Sequence, residues 1–294
     1  MTAGKGGLHT REKVMRLVFL GSSILSLFFL ALICIFLFSN GVPALFKIGA
    51  ANLLLGTDWS PVDTPPFFGL LPMILGSVCV TVGAVIVGTP IGIFTAVFMV
   101  YYCPASLYKL MKPAVELLAG IPSIVYGFFG LVLLAPIVRT IFGGSGLSMF
   151  TASIILGIMI LPTIVAVSEA AIRAVPASCY ENAVALGACR ERSIFCAVLP
   201  AAAGGVTAAV VLGIGRAVGE TMAVVMVAGN QARMPAGVFQ GLRTMTANIV
   251  LEMGYAADLH RDALFVTAAL LLIFILIINA ILFYISSINR LQHS

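Results

Sequence analysis

The sequence predicts an all-α membrane protein with six transmembrane helices, and three observations carry that reading. Hydrophobic residues make up 61% of the chain and charged residues only 9%, which leaves too little polar surface to cover a soluble core. Apolar runs recur at lengths of about twenty residues, enough to cross a hydrocarbon layer. Lysine and arginine are then distributed unevenly among the connections between those runs, as in multi-pass inner-membrane proteins.

Polar breaks place the spans near residues 16–38, 70–100, 113–138, 148–169, 202–229 and 263–286. Lys5, Arg11, Lys13 and Arg16 precede the first, Lys109 and Lys112 fall before the third, Arg173, Arg190 and Arg192 follow the fourth, and Arg290 follows the last. With six crossings all of these lie on one side, so both termini are expected in the cytoplasm. Lys47, Arg139, Arg233, Arg243 and Arg261 are spread over the longer loops of the opposite face. The net charge of +5 follows from this bias and calls for no nucleic-acid partner. One membrane domain, 16–288, is expected between a cytoplasmic tail at 1–15, flexible around Gly4, Gly6 and Gly7, and another at 289–294. It carries external loops at 39–69 and 231–262 and a cytoplasmic loop at 171–198.

The first run is longer than a signal-peptide core, and Ser39-Asn-Gly-Val-Pro43 offers no small-x-small cleavage site, so it reads as a retained helix. None of the six cysteines falls in an external loop, and no disulfide framework is implied. The external segment 39–69 holds the only tryptophan, Trp59, in Gly56-Thr-Asp58-Trp59-Ser-Pro61, and reads as an ordered loop at the membrane surface or a plain connector with an interface anchor. Spans two to five are rich in Gly, Pro, Ser and Thr, as in Gly88-Thr-Pro-Ile-Gly92, Ile121-Pro122-Ser123-Ile-Val-Tyr126-Gly127 and Leu161-Pro162-Thr163. Small residues allow close helix approach, and prolines free carbonyls that protein or a wet cavity must satisfy. These spans are expected to form the working core, with Glu116, Pro122, Ser123 and Tyr126 as pathway or packing residues, and the first and last spans at the periphery.

The sharpest feature is Gly213-Ile-Gly215-Arg216-Ala-Val-Gly219-Glu220-Thr-Met, with two charges inside an apolar span. An arginine at bilayer depth costs roughly 2.5 to 3.5 kcal/mol on insertion scales, so it should face protein or water. Spacing of i, i+4 would put Arg216 and Glu220 on one helix face, each partly neutralising the other. Such a pair suits a polyprotic oxyanion, Arg216 donating from a forked guanidinium and Glu220 accepting from an oxygen that keeps its proton. It could equally lock helix packing. Glu116, after Pro113, is expected at the favourable N-terminal end of the third span, and Glu169 at the cytoplasmic end of the fourth.

Between spans four and five, Ser178 and Glu181 stand at capping-box spacing after Pro176, so a short helix should start there and break near Gly187, beginning a helical hairpin. The order Glu181, Ala183, Gly187, Leu199, Pro200 resembles the EAA loop of ABC-importer permeases, with Asn182 in place of the first alanine and Ala197 in place of the isoleucine. Gly56-Thr-Asp-Trp-Ser-Pro61, Glu116-Leu-Leu-Ala-Gly-Ile-Pro122-Ser-Ile-Val-Tyr126, Ile160-Leu-Pro162, Arg173-Ala-Val-Pro176 and Gly215-Arg216-Ala-Val-Gly-Glu220-Thr-Met together resemble the phosphate-import branch of that family, the PstC permeases. The resemblance implies a type I ABC-importer fold whose coupling helix, at Ser178, Glu181, Ala183 and Gly187, docks on a cytoplasmic ATPase. It further implies a sister permease PstA, two copies of the ATPase PstB and a periplasmic phosphate-binding protein PstS.

No lysine is followed by Ser or Thr, so a Walker A loop is absent, and ATP and Mg are expected on the ATPase partner with no cofactor in this chain. His9, His260 and His293 lie far apart and the cysteine spacings suit no zinc site. A non-catalytic transport subunit is expected. The alternatives are a permease for sulfate or molybdate, an ion-coupled secondary carrier using Arg216 and Glu220 for proton coupling, or a structural or sensory subunit.

Overall fold

The computed structural model describes the backbone of residues 5–291 and the side chains of residues 12–281. The side chains of Lys5, Arg11, Arg290, His9 and His293, and the tail at 289–294 beyond Leu291, lie outside the described residues.

In chain order the helices are α1 (Lys5–Ile48), α2 (Ala50–Leu55), α3 (Leu71–Val97), α4 (Ala105–Gly120), α5 (Ser123–Phe129), α6 (Ala135–Phe142), α7 (Met149–Arg173), α8 (Ala177–Ala185), α9 (Arg190–Ser193), α10 (Leu199–Ala201), α11 (Ala203–Gly219), α12 (Met222–Val227), α13 (Met245–Glu252) and α14 (Asp258–Leu291). A two-stranded antiparallel hairpin, β1 (Trp59–Ser60) and β2 (Phe67–Phe68), pairs Trp59 with Phe68 ahead of α3. Among the described residues five helical stretches are long and apolar enough to cross a membrane, and Arg190–Ala201 with Ala203–Gly219 makes a sixth, bent by 72°. The expected six-span all-α architecture is what forms.

Its breaks differ from those expected. The first helix does not stop at residue 38 but continues to Ile48, because Ser39 Oγ and Asn40 Nδ2 each donate to the Phe36 carbonyl and so satisfy themselves within the helix. The third span is not one helix from 113: α4 begins at Ala105, runs through Pro113, and ends at Gly120, after which the chain is extended at Ile121 and Pro122 before α5 starts. The fifth span begins earlier, with α9, and its main helix ends at Gly219, with Glu220 extended (φ −70°, ψ 133°) before α12.

The centre of the bundle is the pairing of α3 with α7, joined by α11 and α12. Close approach explains the glycines: a Cβ on Gly88 would stand 2.7 Å from Ile160 Cγ1, and one on Gly92 would stand 2.7 Å from Ile164 Cγ2. By contrast α1 buries none of its most apolar stretch within the chain and touches α14, where Phe36 meets Phe265 edge-on at 5.5 Å. The pair α1 and α14 is peripheral, as the sequence implied. Among the described residues Gly215 and Gly219 have no atom within 4 Å of an added Cβ, so their small-xxx-small spacing makes no contact there. All six cysteines are free.

Candidate functional site

Arg216 lies in the last turn of α11, where a cation is favoured by the negative helix end. One of its guanidinium nitrogens donates to Thr163 Oγ1 on α7 at 3.4 Å, and its charge acts on the Tyr126 hydroxyl of α5. At 1.5 Å per residue Thr163 stands about 21 Å from the start of α7 and about 15 Å from its end, so this arginine is well inside the bundle. Its side is only partly covered. Among the described residues no carboxylate pairs with Arg216.

The expected i, i+4 pair with Glu220 is therefore corrected. Glu220 is outside the helix, and its Oε1 accepts a 3.1 Å hydrogen bond from the Ala223 amide, while its carbonyl accepts from Thr246 Oγ1 at 3.0 Å. It caps the first turn of α12 instead of facing Arg216. A helix interruption at 219–221 turns the i, i+4 register into two separate environments.

The second interruption stands beside the first. Tyr126 is buried, and its hydroxyl donates to the Leu118 carbonyl at 2.7 Å, spanning the break at Ile121–Pro122 and satisfying a carbonyl freed at the end of α4. Pro122 is the residue before α5 and Ser123 its first. The half-helices α5 and α12 pack through Gly127, where an added Cβ would meet Ala223 Cα at 2.9 Å. Two broken spans thus meet near Arg216, the arrangement in which membrane proteins place irregular backbone at depth.

Glu116 is not at a helix start. It is exposed in the later part of α4, 4.0 Å from Lys112. Glu169 proves the more engaged carboxylate: at 3% exposure it accepts from Tyr108 Oη at 2.6 Å, Lys112 Nζ at 2.9 Å and Arg173 Nε at 3.0 Å. That hydrogen bond is the main cause holding the Lys112 ammonium pKa above its ordinary 10.5.

On the α8 loop, Ser178, Glu181 and Gly187 are exposed and Ala183 half-buried. The capping box is corrected: α8 starts at Ala177 after Pro176, with no side-chain cap. Its end is as expected. Gly187 takes φ +86°, its amide donates to the Val184 carbonyl and the Ala188 amide to Ala183, a Schellman closure that needs the glycine for its backbone, since an added Cβ would meet open space.

Sequence reasoning missed a network at the opposite end. Glu252, 5% exposed, accepts from Trp59 Nε1 at 2.9 Å, is 2.8 Å from His260 Nε2, and pairs with Arg243, which also donates to the Asn230 carbonyl at 3.0 Å and Asn248 Oδ1 at 2.9 Å. It ties the hairpin, α13, α14 and the 230–244 loop together. A lone carboxylate in the apolar stretch Ile249-Val-Leu-Glu252-Met253 was the available signal.

Comparison with known proteins defines the class. The profile of the family described as "Binding-protein-dependent transport system inner membrane component" matches residues 88–289, and this chain belongs to that family. It is 37% identical over 260 residues to the "Probable ABC transporter permease protein YqgH" of Bacillus subtilis, covering 87% of this chain and 84% of that one. It is 34% identical to the "Phosphate transport system permease protein PstC" of Mesorhizobium japonicum, covering 90% and 86%. Among solved structures, a bacterial alginate ABC transporter in complex with its alginate-bound periplasmic protein matches 94% of this chain and 95% of that one with TM-score 0.65 at 15% identity. The inward-facing MetNI methionine transporter matches 75% and 95% with TM-score 0.61 at 21% identity. The fold is that of type I ABC-importer permeases. The chain is a multi-pass inner-membrane, non-catalytic permease subunit that works with a separate ATPase and a substrate-binding protein.

Proposed function

We propose that this chain is the permease subunit of an ATP-driven inorganic phosphate importer, forming half of the translocation pathway around Arg216. The observation that carries the reading is a guanidinium deep in the bundle that has, among the described residues, one hydroxyl partner and no carboxylate. Such a group is costly to retain unless an anion visits it. Phosphate offers several acceptor oxygens to its free donors, and at neutral pH keeps a proton that the Thr163 hydroxyl can accept. A single cation with a partly open side gives brief residence, which suits a step on a path better than a storage site. The PstC-named relative supports phosphate as the substrate.

In this reading the α8 end faces the cytoplasm and the hairpin end faces outward, so both termini are cytoplasmic. The segments 39–69 and 231–262 lie outside and 171–198 inside. Ser178, Glu181, Ala183 and Gly187 contact the ATPase, corresponding to PstB in two copies, which binds ATP and Mg. A sister permease corresponding to PstA supplies the other wall, and a PstS-like protein delivers phosphate. Glu220 supports the path by fixing α12, and Pro122, Ser123 and Tyr126 shape the break opposite it. The test is uptake by the purified complex in proteoliposomes. Phosphate should enter only with ATP and binding protein, and excess sulfate should not compete; uptake by this chain alone without ATP would contradict the proposal.

A further inference from the structure

The connection between α3 and α4 is gripped on one side by α8 and α9 and on the other by the last turns of α7. Ahead of the Cys103–Pro104 turn, α3 closes in a π-helical segment, Phe98–Tyr102. Tyr180 of α8 stacks on Tyr101, ring centroids 5.6 Å apart and planes 30° from parallel. Arg190, the first residue of α9, lies 4.6 Å over the Tyr102 ring, and its guanidinium donates to the Tyr101 carbonyl. Below them Val97, Ile172, Ile194 and Val198 form a buried apolar cluster that also includes the π-helical start of the fifth span. Beyond the turn, Tyr108 and Lys112 of α4 are held by Glu169, which also binds Arg173, the residue three before Pro176.

These contacts have direction. A stacked ring pair resists sliding, and a guanidinium set both on a ring and on a main-chain carbonyl fixes the backbone as well as the side chain. In contrast, Pro122 at the far end of α4 has no amide to donate, and among the described residues the break is crossed by Tyr126 Oη to Leu118 O at 2.7 Å, while Ile121 N to Leu118 O at 3.4 Å and Val125 N to Pro122 O at 3.0 Å only close the helix ends on either side. The bundle is therefore stiff where α8 and α9 meet the end of α3 and where the last turns of α7 hold α4, and weak beside Arg216.

We propose that Tyr180 and Arg190 are positioning residues that carry displacement of the coupling helix into the membrane, by clamping it to the π-helical end of α3. Helix α8, the end of α3, the last turns of α7 and α4 then travel as one body, and the bend occurs at Ile121–Pro122, where the path past Arg216 opens or closes. This rests on α8 being the ATPase dock, and it names what lies between that dock and the substrate path.

The experiment uses the assembled complex in proteoliposomes and reads phosphate moved per ATP hydrolysed. In the double variant Tyr180→Ala, Arg190→Ala the ATPase should copurify and still hydrolyse ATP, while the transport ratio falls by about tenfold or more. Tyr180→Phe, which keeps the stack, should restore the wild-type ratio. A wild-type ratio in the double variant, or loss of the ATPase from the complex, overturns the proposal. A second arm needs no substrate: spin labels on Leu107→Cys and Val184→Cys, with the native cysteines replaced by serine, should keep one separation with and without ATP. A nucleotide-dependent change of about one helical turn, ~5.4 Å, overturns the clamp. If the unaltered complex moves no phosphate, the substrate assignment fails, and the label separation still decides the clamp.

Discussion

Glu252, buried, and Arg216, partly covered, are both charges held within the same bundle, and they are treated in opposite ways. Both oxygens of Glu252 are engaged, by Trp59, Arg243 and His260, and four segments are joined as a result. Around Arg216 one hydroxyl answers a five-donor group. A saturated charge holds structure together, whereas an unsaturated one at depth keeps capacity for a ligand. The same distinction separates Glu169, fully engaged, from Glu220, which spends one oxygen on capping α12.

Short of removing the arginine, the largest effect should come from erasing the difference. Thr163→Asp places a carboxylate where the hydroxyl now meets the guanidinium, and uptake should fall by about tenfold or more while membrane insertion and assembly persist. Unchanged uptake would show that the free donors of Arg216 are idle. The converse change removes saturation at the other end. Glu252→Ala leaves the half-buried Arg243 without its carboxylate and should destabilise the solubilised protein by about 3 kcal/mol, measured by thermal or denaturant unfolding.

Smaller effects sharpen the contrast. Glu220→Ala should cost about 1 kcal/mol, the value of one helix-capping bond, and should lower uptake less than Thr163→Asp does. Lys112→Met should remove a stabilisation whose pH dependence has a definite sign. Because the folded pKa lies above the ordinary 10.5, the contribution of the pair with Glu169 is complete at neutral pH and disappears as pH rises through the raised value. The difference in Tm between wild type and variant should therefore close only in strong alkali. Glu116→Gln, on an exposed pair at 4.0 Å, should change stability by no more than about 0.5 kcal/mol and leave uptake intact.

Hydrocarbon thickness made the spans legible, since each needs about twenty apolar residues whatever its neighbours. The breaks were not legible, because proline does not dictate them: Pro43, Pro90, Pro113 and Pro162 all sit inside continuous helices, while the chain opens at Pro122 and again at Glu220, where no proline stands. What decides is whether neighbouring groups take up the freed backbone, as Tyr126 does for Leu118. Arg216 stood out because one charge in an apolar run needs no partner to be noticed. Its supposed partner was misread because i, i+4 spacing has meaning only if the helix continues. The pairing of Arg243 with Glu252 was not legible for a related reason, the two lying on either side of a loop-to-helix boundary that no periodicity crosses.

The most direct test is the initial rate of phosphate uptake by the complex carrying Arg216→Gln, in proteoliposomes with ATP and loaded binding protein. A background rate, with the variant chain inserted and its partners assembled, is the predicted result. Uptake at the rate of the unaltered complex would contradict the assignment of this guanidinium to the phosphate path.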